Sequence, residues 1–260
     1  MKLGIEGRHA IVCAGSRGLG RAAAESLAEA GVAVTLIART REPLEAAAAE
    51  IRTAYGVPVR AVAGDVTTEE GRAAAFEACP APDILVCNPG LRQTPADFRT
   101  LTRADWLAWW DAHFYSAIDM IRRAAPGMAE RGFGRIVNIS VSNIKFPQVN
   151  FAHSHAARVA LSGAIASFVR ELVGRNVTIN SVAPGFFDTD ALHTNLHSHA
   201  ARGGVTYEEI VADRLRQTPA GRFAAPKECG DLVAFLCSAQ AGFITGQNIV
   251  NDGGVYQGLF

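Results

Sequence analysis

The feature that most constrains the fold is a rhythm of short apolar runs separated by helical stretches, the first run ending in a glycine-rich turn. Residues 9–14, 32–38, 59–63, 84–87, 136–139, 177–182 and 247–250 are rich in Val, Ile, Leu and Ala. Strands apolar along most of their length are buried on both faces, as parallel strands are. The helical stretches between them supply the crossovers. Residues 42–55 show helical spacing, with Pro43 suited to a first turn. Long helices are also predicted over 105–131 and 151–174. The expectation is a single α/β domain spanning all 260 residues, built on a doubly wound parallel sheet of about seven strands with helices on both faces. Only 186–223 reads as a long irregular segment, and it is taken as a lid-like insertion.

Lys+Arg and Asp+Glu are 25 each, so no net charge draws the chain to nucleic acid or to an anionic membrane. The five cysteines form no C-x-x-C pair, which argues against a disulfide framework or a structural zinc site. No apolar run approaches the roughly 20 residues of a membrane span, and the first residues carry no signal-peptide pattern. A soluble, cytoplasmic protein without a metal is expected. His193, His197 and His199 lack a completing Cys or carboxylate and read as solvated residues of the lid.

A strand running into Gly15, Gly18 and Gly20 and then a helix suits a dinucleotide pyrophosphate, because small residues let backbone N–H groups approach the phosphates. Arg17 and Arg39 are either surface charges or a binding pair for the adenosine 2′-phosphate. Six segments then occur in order: C-A-G-S-R-G-L-G (13–20), G-D-V (64–66), L-V-C-N-P-G (85–90), G-R-I-V-N-I-S (134–140), N-S-V-A-P-G-F-F-D-T (180–189) and I-T-G-Q-N-I-V-N-D-G-G (244–254). On these the chain resembles the short-chain dehydrogenase/reductase family over essentially its whole length, most nearly the bacterial 3-oxoacyl-carrier-protein reductase-like members.

The resemblance implies a Rossmann fold and a nicotinamide dinucleotide held by Gly15, Ser16, Arg17, Gly18, Leu19, Gly20, Asp65, Val66, Asn88, Gly90, Arg158, Pro184, Gly185 and Thr189. Ala38 stands where the family's NAD-selecting Asp lies, so NADP(H) is favoured over NAD(H), with Arg39 beside it. Ala14 replaces the family's first glycine, and a methyl there crowds the turn if its φ is positive. Pro89 replaces an alanine.

The resemblance also implies a catalytic Asn, Ser, Tyr and Lys. Counting from residues 134–140, these positions hold His113, Val141, Ser154 and Arg158. A one-residue shift gives Ser142 and His155 instead but puts Val159 at the cation position, so the first register is preferred. A serine hydroxyl is a far poorer acid than a phenol, and an arginine stays charged at any working pH. Lys145, one of three lysines in a chain with 22 arginines, is the candidate substitute acid or base, against its reading as a solvated loop residue. His113 relays a proton or simply bonds within its helix, and Ser142 recovers the missing serine if the loop bulges. His153 and His155 are expected to face away from Arg158. Three functions follow: an NADP-dependent oxidoreductase for a small carbonyl or hydroxy compound with a non-standard proton-delivery site; a non-redox lyase or isomerase; and a catalytically silent cofactor-binding protein. The family's usual association through the helices at 105–131 and 151–174 implies a homotetramer or homodimer.

Overall fold

A computed structural model describes residues 2–90 and 97–259. The elements run β1 (His9–Cys13), α1 (Gly18–Glu29), β2 (Ala33–Ala38), α2 (Arg41–Tyr55), β3 (Val59–Ala63), α3 (Glu69–Ala78), β4 (Ile84–Cys87), α4 (Arg103–Trp110), α5 (Ser116–Glu130), β5 (Gly134–Ile139), α6 (Ala152–Leu172), β6 (Val177–Pro184), α7 (Asp190–Gly203), α8 (Tyr207–Gln217), α9 (Pro226–Cys237) and β7 (Asn248–Asn251). The seven strands form one sheet in the order β3-β2-β1-β4-β5-β6-β7, every pairing parallel. The doubly wound parallel sheet expected from the apolar runs is what forms.

Two cores explain why those runs are apolar along their length. Ala10 and Val12 of β1 and Ile84 and Val86 of β4 face a core shared with α1, α2 and α9. Ile11, Cys13, Leu85 and Cys87, at the alternate positions, face a second core built with α3, α5 and α6. Each strand therefore buries both faces, and polar alternation is absent for that reason. The five cysteines are free and buried.

Strand order reverses between β1 and β4. Chains leaving the carboxyl ends of these neighbours diverge and open a crevice, the usual ligand position in such sheets. The glycine-rich turn follows β1 there, and residues 88–90 follow β4.

Two elements correct the sequence reading. Residues 186–223 are not irregular: α7 and α8 form a helical pair. Thr189 caps α7 by accepting from the Leu192 N–H (3.2 Å). Gly204 ends it in the left-handed region, and Thr206 with Glu209 forms a capping box on α8. The long helix predicted over 105–131 is interrupted by one π-turn at Asp111–Tyr115 between α4 and α5, which carries His113. No helix among the described residues is long and apolar enough to cross a membrane.

Candidate active site

The crevice is a cavity of about 1050 Å³. This lies at the upper end of the ~300–1,000 Å³ typical of small-molecule sites, with room for a dinucleotide beside a small substrate. Its β1–β3 half is lined by Ser16, Arg17, Gly18, Leu19, Ala38, Arg39, Asp65 and Val66. Asn88 and Gly90 line the middle, and Pro184, Gly185 and Thr189 the β6 side. Gly15, within the turn, and Gly20, in the first turn of α1, do not line the cavity.

The turn is shaped as a phosphate cradle. A Cβ on Gly20 would lie 2.4 Å from the Ala14 carbonyl oxygen, so only glycine lets α1 start this close to the turn. No side chain caps α1 and no acidic residue occupies its first turn, which leaves the helix N-terminus available to an anion. Arg17 and Arg39 are exposed and make no ion pair among the described residues. Asp65 accepts from the backbone N–H (2.9 Å) and hydroxyl (2.8 Å) of Thr67, fixing the rim beyond β3.

Ala14 has φ +51°, the left-handed conformation in which its methyl is a liability. The strain for a non-glycine residue is about 1–2 kcal/mol. Ala14→Gly is therefore expected to stabilise the protein by about 1 kcal/mol in urea unfolding, after the extra unfolded-state entropy of glycine is subtracted. An unchanged or lowered midpoint would show that the strain is absent.

The β5–β6 half carries the hydroxyl side chains. Val141 and Ser142 line it, as do Ser140 and Asn143. Ser140 was missed by the sequence reading: it is buried, and its Oγ has no hydrogen-bond partner. Arg158 reaches the cavity from α6. Ser154 is buried one helical turn earlier but is not among the lining residues, and neither is His113. Lys145 also does not line the cavity, although Asn143 and Phe146 on either side do; it ends a short turn, its N–H donating to the Ser142 carbonyl (2.9 Å). No tyrosine or lysine among the described residues lines the cavity.

His113 is 3% exposed and stacks on Trp109 with ring centroids 4.7 Å apart. Neither ring nitrogen has a hydrogen-bond partner, so it does not bond within its helix. Burial, then the charge of Arg158, then His153 pull its pKa down to about 2, and the ring is neutral at any working pH. His153 is buried edge-on against the same Trp109 at 4.5 Å. For His155, burial first and then the charges of Arg158 and His153 lower the pKa.

The lid histidines are not merely solvated. His193 bridges the Asp188 carboxylate (2.6 Å) and the Tyr207 hydroxyl (2.5 Å), and His197 stacks on Tyr207 at 4.2 Å, tying α7 to α8. His199, Arg214 and Gln217 face the cavity. Nothing in the sequence signalled these inward positions, because both helices read as polar.

Comparison with known proteins places this geometry. The family model described as Enoyl-(Acyl carrier protein) reductase matches residues 13–256. A 3-oxoacyl-[acyl-carrier-protein] reductase of Aquifex aeolicus is 34% identical over 98% of this chain and 100% of its own length. An acetoacetyl-CoA reductase of Cupriavidus necator is 30% identical over 96% of this chain and 99% of its own. L-sorbose reductase from Gluconobacter frateurii, solved with NADPH and L-sorbose, superposes with a TM-score of 0.93 at 28% identity, covering 100% of both chains. With a family match over nearly its full length and relatives that are themselves reductases, the chain belongs to the short-chain dehydrogenase/reductase family.

Proposed function

We propose that the protein is an NADP-dependent oxidoreductase interconverting a small carbonyl compound and its alcohol, with a proton-delivery site of its own. One observation carries the reading. A phosphate cradle bearing two unpaired guanidinium groups opens into the same cavity as a set of buried hydroxyls beyond β5. When bound, the nicotinamide would supply or take up the hydride at the carbonyl carbon. Arg17 and Arg39 hold the 2′-phosphate, with no carboxylate at Ala38 to oppose it, and the α1 N-terminus holds the pyrophosphate.

The proton reaches the substrate oxygen from the Ser140 and Ser142 hydroxyls, each donating to the substrate while accepting from water. Neither is a strong acid, so this route is slow beside a phenol. Ser154, His113 and Lys145 do not line the cavity and are not assigned the proton.

NADPH is expected to bind about 10- to 100-fold more tightly than NADH, the worth of charge-assisted hydrogen bonds to one phosphate. Paired calorimetric titrations measure this, and Arg39→Ala should close most of the gap. Equal affinities in the unaltered protein would remove the arginines from the assignment. A carbonyl panel followed at 340 nm tests turnover. The absence of any cavity-lining tyrosine or lysine among the described residues favours a second reading, a cofactor-binding protein that does no redox chemistry or a lyase or isomerase. NADPH binding with no oxidation across the panel would decide for it.

A further inference from the structure

Among the described residues three arginines are buried, and two of them are compensated. Arg72 donates to Asp119 at 2.7 Å. Arg135 donates from Nε to the Ser238 carbonyl (3.1 Å) and from Nη1 to the Gly134 and Asn176 carbonyls (2.8 Å each). Arg158 is the exception. It is 6% exposed, its guanidinium makes no hydrogen bond among the described residues, and no carboxylate there lies within 4.0 Å. Its Nε is fully covered and lacks an acceptor. Burial draws its pKa down to about 10, leaving it charged at neutral pH.

The neighbours cannot supply the missing charge. His113 and His155 both feel Arg158, and its charge lowers the pKa of each. From the lid, Arg214 also faces the cavity without a carboxylate: it donates to the Gln217 side chain (3.0 Å) and lies over the Phe186 ring. Arg216, by contrast, is paired with Asp213 (3.2 Å). Of the two lining carboxylates, Asp65 is engaged by Thr67 beyond β3, and Asp190 is exposed at the start of α7. A dinucleotide held as proposed places its phosphates at Arg17 and Arg39, and the contact that the family resemblance implies for Arg158 is with a ribose hydroxyl, which is neutral and leaves this charge uncompensated. A buried charge without a counter-charge is retained where a ligand provides one.

We propose that Arg158 anchors a carboxylate of the substrate, so that the protein acts on carbonyl or hydroxy compounds that are also carboxylic acids. The planar guanidinium donates to two carboxylate oxygens at once, which an ammonium at this position does not. Arg214 adds a second positive charge from the lid. The inference rests on the oxidoreductase reading for the reacting carbonyl, but the carboxylate contact does not require turnover.

The test is calorimetric titration of the full chain, loaded with NADP⁺, with acetoacetate and its methyl ester and with malonate and its dimethyl ester. Each acid is expected to bind at least about tenfold more tightly than its ester, the scale of a charge-assisted pair. Arg158→Met should erase that difference, and Arg158→Lys should keep part of it. Arg158→Met removes an uncompensated buried charge and is expected to melt no lower than the unaltered protein. If it fails to fold, the acid-to-ester ratios of the unaltered protein and Arg158→Lys decide. Equal binding of acid and ester, or a preference that survives Arg158→Met, overturns the proposal. So does inorganic phosphate competing as well as malonate, which would mark a general anion site. NADPH titrated into the same proteins separates the two readings. Failure of NADPH to bind would sink the cofactor assignment alone, whereas intact NADPH binding without acid selectivity would sink only the carboxylate site.

Discussion

Combining Val141→Ser, Ser154→Tyr and Arg158→Lys is expected to raise NADPH-dependent carbonyl reduction by about 10²- to 10⁴-fold in kcat, the usual worth of a positioned general acid. Positions 154 and 158 are one turn apart on α6, so their side chains lie on one face, and Arg158 shows that this face reaches the cavity. A phenol titrates near 10 unperturbed and is lowered by an adjacent ammonium, which brings it into range for donating a proton. Val141 already lines the cavity, so a serine hydroxyl there would polarise the substrate carbonyl. Groups that act as a unit are strongly non-additive, and each single replacement should recover far less than the triple. Initial rates at 340 nm with saturating NADPH read the effect. A triple variant no faster than the unaltered protein would show that positions 141, 154 and 158 do not form the reacting set. Because the triple variant lacks the guanidinium, it should also lose much of its preference for carboxylic acids over their esters.

The sheet was legible because its inner strands are covered on both sides. Its residues had to be apolar in sequence, and the predicted runs differ from the observed strands by one or two residues at their ends, as at β6 and β7. Ala14 was legible in a sharper way: a methyl in place of a turn glycine raised the question of a positive φ, and the backbone there is left-handed. What escaped the reading lacked an apolar signature. α7, which carries three histidines, and α8, which buries no residue, are polar helices over the cavity, so periodicity does not announce them, although Thr189, Gly204 and the Thr206–Glu209 pair mark their ends. The orientation of Lys145 depends on a three-residue turn that spacing cannot resolve. Ser140 escaped because its neighbour Val141 occupied the position where a serine was sought. Arg72 and Asp119 would each pass for surface charges, since nothing in a sequence says that two charges 47 residues apart are buried together.

That pair carries the second large effect. Asp119 is 2% exposed and accepts from Arg72 Nε (2.7 Å), Arg123 Nε (2.8 Å) and Arg122 Nη2 (2.6 Å). Arg72 also donates to the Val66 carbonyl (3.0 Å), so the network is a strut between the β3 side of the cavity and α5, the helix that continues from the His113 turn. Burial pushes the Asp119 carboxyl up, but the hydrogen bonds from Arg123, Arg122 and Arg72 together outweigh it and hold the pKa at about 2. A carboxyl lowered on folding stabilises the native state above its unfolded pKa near 3.9 and loses that contribution as the pH falls through about 2. The linked contribution is about 2.5 kcal/mol at neutral pH. Asp119→Ala should cost about 3 kcal/mol, because it leaves the buried Arg72 facing Arg122 and Arg123 with only the exposed Glu69 carboxylate, 3.2 Å from Arg72 and shared with Arg123, as counter-charge. Urea unfolding at pH 7 measures the loss. Repeated between pH 5 and pH 2, it should show a shallower acid decline in the variant than in the unaltered protein, since one titrating group is gone. Arg72→Met in the Asp119→Ala background should restore part of the stability, as expected when the penalty is an orphaned charge. A double variant as unstable as the sum of the two singles would mean that the network is packing rather than charge pairing.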